Sequence, residues 1–422
     1  MNTIFYFAYL FATLVLGNLR IGPFSLRVYM NVIMAVYLFF SQSKRSNIKD
    51  ANIVKFVIVY CIYIFVTTVI LLLDGDFVPY NFSKMLLANY FPSIVLIFAT
   101  LRYANNEIKM KNILAFLLIV ITIDSIVTIM QSYGSLLGMQ LAQFFNNTAE
   151  SRANVDEIIG SSDKMIDKTG YGFASGFFNY AFINSLYISS SGLFALYFLR
   201  EEKKGVFRVI YWIILLLTIY ACFLTQERIS IVTMLIASLI LIIYHGVSSK
   251  SGKMFFVLGI VALMIFGQGL VNTFNFGRAF QISLQEDSRS YLWAVAIDYI
   301  SDNFLLGGPI GYYNIAEMAP HNFFLNALIL SGAIGGSLII GLFIWQLFCA
   351  IKNIINKNNN FCLVVVSLSV LLAFAYSLFH NAGLYGGDSM TILLVTMMIQ
   401  QKKIMNTRDS ENELPSSITT DK

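Results

Sequence analysis

The sequence predicts an all-α fold, a polytopic bundle of transmembrane helices. Three observations carry that reading. First, 57% of the 422 residues are hydrophobic and only 12% are charged, against about 25% charged in soluble domains, and the mean hydropathy is +0.71. Second, the apolar residues stand in long unbroken runs. In lipid every backbone polar group must be satisfied within its own segment, which such runs achieve as helices, whereas a membrane β-barrel would show short alternating strands. Third, the Lys and Arg residues fall between the runs and form no basic stripe, so the net charge of +5 carries no nucleic-acid signature.

A crossing needs about 20 apolar residues, and on that ruler the chain divides into about twelve spans. The first six are expected near Ile4–Leu19, Phe24–Phe40, Ile53–Leu73, Met85–Leu101, Ile113–Met130 and Phe173–Leu199. The others are expected near Val206–Leu224, Ile229–Tyr244, Met254–Leu270, Phe323–Ile351, Phe361–Phe379 and Ser389–Ile399. The first run begins almost at Met1, with no basic segment before it and no small-residue cleavage site after it, so it reads as a retained helix. Cys61, Cys222, Cys349 and Cys362 lie in or beside apolar runs without metal-ligand spacing and read as small core hydrophobes.

Lys and Arg favour the cytoplasmic side. The clusters Lys44 to Lys55, Arg102 to Lys111, Arg200 to Arg208 and Lys402 to Arg408 all fall on one side when the N-terminus is cytoplasmic, and the C-terminus then joins them. Residues 1–130 are thus expected to be N-terminal membrane helices, 131–172 a first periplasmic loop, and 173–270 central membrane helices. Residues 271–322 form a large periplasmic loop containing short helices, 323–401 the C-terminal membrane helices, and 402–422 a disordered cytoplasmic tail. The polar segments away from the cytoplasm are where chemistry is expected. No nucleotide-binding glycine loop is present.

In the second loop, apolar residues recur at helical spacing from Ser290 to Asp302, with Asp287 or Ser288 as cap and a glycine-rich turn, Gly307 to Gly311, as terminator. Arg289 sits in the first turn, as a surface arginine or an anion binder. His321 follows Pro320 at the mouth of the next apolar run. An imidazole near the positive end of a helix dipole is biased towards its neutral form, which can accept a proton; the plainer role is to cap that helix. Arg228 stands beside Glu227 in a tight hairpin, poised either for an ion pair with it or for a phosphate at headgroup depth. His380 is a secondary candidate in a similar turn. Asp124 is an intramembrane acid, functional or paired with a neighbouring helix. Gly332, Gly335 and Gly336 suit close helix approach.

His321-Asn322, nine residues, then Gly332-Ala333-Ile334-Gly335 resembles the signature of the O-antigen ligase and polymerase superfamily. Arg289, Trp293, the Gly307 to Gly311 turn and His321 occur in the order that family uses in its large periplasmic loop. Arg228 matches an arginine placed after an earlier span, although Gln226-Glu227 precede it where the family often has a small residue. The N-terminal half adds nothing specific. The resemblance implies a GT-C-like membrane glycosyltransferase that needs no metal or other cofactor. It implies an undecaprenyl-diphosphate-linked glycan donor and acceptor, with a chain-length regulator and a flippase as further partners. Arg228 and Arg289 would hold the diphosphate and His321 would take or orient the acceptor proton. Trp293 would stack on sugar or pack the loop helix against the membrane, with Asn322 and His380 as secondary site residues.

Within that family a Wzy-type polymerase is the favoured reading, acting at the periplasmic face of a bacterial inner membrane, and a ligase that moves the chain to lipid A core is the alternative. From another class, an oligosaccharide-lipid flippase or secondary transporter would place its polar groups near the bilayer midplane in symmetrical halves.

Overall fold

The computed structural model describes residues 1–17, 19–21, 24–41, 51–73, 86–146, 174–178, 181–225, 227–244, 288–316, 319–380 and 383–412. The expected span Met254–Leu270, His245, the cap candidate Asp287 and residues 147–173 and 413–422 lie outside the described residues. In chain order the helices are α1 (Thr3–Leu14), α2 (Leu26–Phe40), α3 (Ala51–Leu73), α4 (Phe91–Tyr103), α5 (Glu107–Ser132), α6 (Leu136–Asn146) and α7 (Ala181–Glu201). They continue as α8 (Gly205–Leu224), α9 (Arg228–Leu239), α10 (Ser288–Asp302), α11 (Pro309–Ala316), α12 (Phe323–Ile355), α13 (Phe361–Ser377) and α14 (Ser389–Asn412). A π turn over Leu86–Tyr90 leads into α4 and another over Ile240–Tyr244 extends α9. Among the described residues the only strands are β1 (Arg20–Ile21) and β2 (Phe24–Ser25), an antiparallel pair in which Arg20 faces Ser25.

Side-chain caps set several boundaries. The first amides of a helix lack intrahelical partners, and a short polar side chain at the cap supplies one. Asn2 accepts from Ile4 N, Asn106 from Lys109 N and Asn360 from Leu363 N, each at 2.9 Å, and Asp388 Oδ2 accepts from Thr391 N at 2.8 Å.

Among the described residues, four helices are long and apolar enough to cross a membrane: α3, α5, α8 and α12; five shorter apolar helices stand beside them. The outward faces are apolar too. Ile58, Ile62 and Phe65 on α3, Ile119 and Ile123 on α5, and Val209, Ile213 and Leu216 on α8 are all exposed. Patches of that extent are untenable in water and natural against lipid. The protein is therefore a helical membrane protein. Helix α13 is buried on every face, and α7, α12 and α14 pack around it. A helix apolar all round belongs at the centre of such a bundle.

Three expectations change. The run expected at Phe173–Leu199 starts as a helix only at Ala181, because residues 174–178 form a turn clamped to α5. Asp124 Oδ1 accepts from Phe177 N at 2.7 Å and Gln131 Oε1 from Gly176 N at 3.0 Å. Asn184 Nδ2 donates to Thr128 Oγ1 at 2.9 Å and to the Ala174 carbonyl at 3.2 Å. Asp124 thus tethers a chain segment, where the sequence suggested either chemistry or a neighbouring helix. Helix α14 continues to Asn412, through part of the segment expected to be a disordered tail, and Arg408 reaches Glu107 at 3.4 Å.

Candidate functional site

Helix α12 is interrupted one third of the way along. Ser331 (φ −148°) and Gly332 (φ +54°) leave the helical region, which separates a short helix over 323–330 from a long one over 333–355. Only glycine adopts a positive φ without strain, and a Cβ at Gly332 would overlap the Leu305 carbonyl. An interruption frees backbone groups that lipid cannot satisfy. The turn after α10 satisfies them: Gly308 N donates to Ile329 O at 2.9 Å, Ala333 N to Phe304 O at 2.7 Å and Ile334 N to Leu305 O at 3.4 Å. Gly307 (φ +74°) lies against the same break. Gly332 is therefore a break in the helix and not a helix-approach residue, whereas Gly335 does lie against α3, where an added Cβ would stand 3.4 Å from Val66.

This docking sets the loop helices over the start of α12. Helix α10 ends in a turn closed at Gly307-Gly308, where Tyr299 Oη donates to Gly308 O at 2.6 Å, whereas Pro309 to Gly311, expected in that turn, open α11. Trp293 Nε1 donates to the Pro320 carbonyl at 2.7 Å, so its indole N–H holds the segment entering the site, a role the sequence did not suggest. His321 follows with φ +52°, the one non-glycine residue with positive φ among those described. A histidine in the left-handed region is strained, and such strain gathers at functional sites. The cap of α12 is Asn322, which accepts from Phe324 N at 2.9 Å and Leu325 N at 3.2 Å. The capping role considered for His321 belongs to its neighbour.

Asn322 also reaches across the bundle. Its Nδ2 donates to Leu378 O at 3.2 Å, at the end of α13. Two residues on, His380 stacks on Tyr376 with ring centroids 4.3 Å apart and lies 3.2 Å from Glu227 Oε2. Glu227 immediately precedes α9, so the N-termini of α9 and α12 both flank the stretch from Leu378 to His380. Helix N-termini carry partial positive charge and unsatisfied N–H groups. His380 is only 3% exposed and bridges the end of α13 to the start of α9. Glu227 meets His380. Arg228 opens α9, and Arg289 is the second residue of α10, one turn before Trp293; the side chains of both lie outside the described residues.

Other contributors went unnoticed in the sequence. The turn from Gly383 to Asp388 is pinned by Tyr63 Oη donating to Tyr385 O at 2.9 Å, Tyr90 Oη to the same oxygen at 3.2 Å, and Ser93 Oγ to Gly387 O at 3.1 Å. Arg27 donates to Ser389 Oγ beside this turn. The Gly386-Gly387 pair was the available signal for the turn. Nothing local foretold that tyrosines from α3 and the π turn would fasten it.

Residues 213–340 match the model of a family described as O-antigen ligase. The stretch runs from within α8 past the break in α12, so Arg228, Arg289, Trp293, His321, Asn322 and Gly332 all fall inside the O-antigen ligase match. No curated protein and no solved structure matches the chain. The match covers 128 of the 422 residues, and over that stretch the chain is similar to the family. His321 stands immediately before the Asn322 cap of α12, and Asn322 ties this point to the end of α13.

Proposed function

We propose that the protein is a membrane glycosyltransferase that polymerises undecaprenyl-diphosphate-linked repeat units into O-antigen or a related surface polysaccharide, at the periplasmic face of a bacterial inner membrane. The observation that carries this reading is the position of His321. It lies within the O-antigen ligase match, strained, held through Pro320 by Trp293, and next to a stretch flanked by the N-termini of α9 and α12.

In the proposed reaction an acceptor sugar hydroxyl attacks the anomeric carbon of the donor glycan, and the bond from that carbon to the diphosphate oxygen breaks. His321 takes the hydroxyl proton, a role for which a neutral imidazole is suited. The lipid diphosphate leaves with the electron pair. Arg228 and Arg289, with the two helix N-termini, stabilise the negative charge that develops on it. Asn322 fixes the backbone after His321, and His380 with Glu227 fixes α9 relative to α13.

His321→Ala and Arg289→Ala are each expected to abolish long-chain polysaccharide, a loss of at least about a hundredfold for a general base, with membrane abundance unchanged. Normal chain-length ladders from both variants would overturn the proposal. The family description favours a second reading, transfer of a finished chain to lipid A core. Gel analysis of lipopolysaccharide from a deletion strain separates the two: a core bearing one repeat unit supports the polymerase and bare core the ligase.

A further inference from the structure

At the end of α12 remote from His321, the structure contains a cavity of about 170 Å³ that the reaction does not use. It lies between α3, α12 and α14. The long segment of α12, residues 333–355, spans about 35 Å at 1.5 Å per residue, and the cavity lies along its second half, from Trp345 to Asn356, about 20 to 35 Å from the break. Its wall is rich in amides: Asn52, Gln346, Asn353, Asn356 and Asn359. Lys352 and Lys402 also line it, and among the described residues no Asp or Glu does.

Gln346 is 1% exposed, and neither its Nε2 nor its Oε1 has a hydrogen-bond partner among the described residues. A buried amide left with both ends unsatisfied is costly, and this one faces the cavity. The surrounding amides are held in place. Asn353 Nδ2 donates to Ser367 Oγ at 3.3 Å, Asn359 Nδ2 to Asn353 O at 2.8 Å, and Lys402 Nζ to Asn359 Oδ1 at 3.1 Å. The carbonyl end of α12 weakly opposes an anion, and two ammonium groups in the wall outweigh it. Trp345, Met398 and Ile399 add an apolar flank.

We propose that this cavity binds a phosphate ester that carries a neighbouring hydroxyl group. The ammonium groups of Lys352 and Lys402 meet the phosphate, and the Gln346 amide donates to a phosphate oxygen and accepts from the hydroxyl. Glycerol phosphate is the shared chemistry, whether as the headgroup of an anionic phospholipid or as a soluble ester. The site is independent of the glycosyl-transfer reading and stands or falls separately from it.

The test uses the full chain in nanodiscs of phosphatidylcholine, with or without phosphatidylglycerol, and with glycerol 3-phosphate added to the phosphatidylcholine discs. Retained ligand is read by native mass spectrometry and stability by the melting temperature. At least one of the two probes is expected to be retained and to raise the melting temperature. For phosphatidylglycerol the preference over phosphatidylcholine should be about fivefold per engaged lysine. Gln346→Leu should remove it, and Lys352→Gln should lower it about fivefold. Lys352 is exposed, so its replacement tests the site even if Gln346→Leu does not fold. Retention of phosphatidylglycerol alone assigns a lipid headgroup, and a response to glycerol 3-phosphate as well assigns a site open to solution. No response to either probe overturns the proposal, as does undiminished retention in Lys352→Gln.

Discussion

The two ends of α12 are built by opposite means. At the His321 end the backbone itself is irregular: a left-handed histidine, a break at Ser331 and Gly332, and an intruding turn whose N–H and C=O groups complete the interrupted helix. At the Lys352 end the helix is regular to its last turn, and side-chain amides do the joining, through Asn353, Asn359 and the cap at Asn360. Backbone irregularity at membrane depth is tolerated only where protein covers it. The first end therefore depends on long-range docking, and the second on local capping.

That contrast orders the effects of mutation. Gly332→Val forces a β-branched residue into positive φ and onto the Leu305 carbonyl. It should destabilise the α10 to α12 docking by about 3 kcal/mol or more, seen as protease sensitivity of residues 288–316 and loss of polysaccharide. An unchanged digestion pattern would show that the break does not govern the docking. Trp293→Phe leaves the Pro320 carbonyl without its indole partner and should cost about 1–2 kcal/mol. Polysaccharide yield should fall about tenfold while membrane abundance holds; a wild-type yield would remove Trp293 from the positioning of His321.

Asn322→Ala should cost about 1 kcal/mol through loss of the cap, read in the melting temperature. Asn322→Asp retains the cap acceptor but cannot donate to Leu378, so it sharpens the comparison by separating local capping from the link across the bundle. Equal effects would place all of the role of Asn322 in that link. At the far end, Arg408→Ala removes an ion pair with Glu107 whose side chains are 66% and 43% exposed, and should change stability by no more than about 0.5 kcal/mol with a normal ladder. A larger change would mean that this end, too, depends on long-range contacts.

Several features were readable in advance. The helix from Ser288 to Asp302, its glycine terminator and the spans along α3, α5 and α8 follow from periodicity and punctuation over neighbouring residues. The spacing of His321-Asn322 and Gly332 pointed to the family, since a strained residue, a cap and a positive-φ glycine must stand at fixed offsets along one helix. The late start of α7 was hidden because the turn over residues 174–178 is as apolar as the helix after it, and only its tether to Asp124 distinguishes the two. The burial of His380 was hidden because its partners, Tyr376 and Glu227, include one from 153 residues earlier in the chain.

By itself the sequence determined that this chain lives in a membrane as helices, because apolar runs and the hydrogen-bonding demand of the backbone leave no other arrangement. The tertiary structure alone decided that Gly332 is a break completed by another segment, that Trp293 serves a proline carbonyl, and that His380 braces two helix ends. These are pairings between distant segments, and hydrogen bonds of that kind depend on which surfaces meet, which no local pattern encodes.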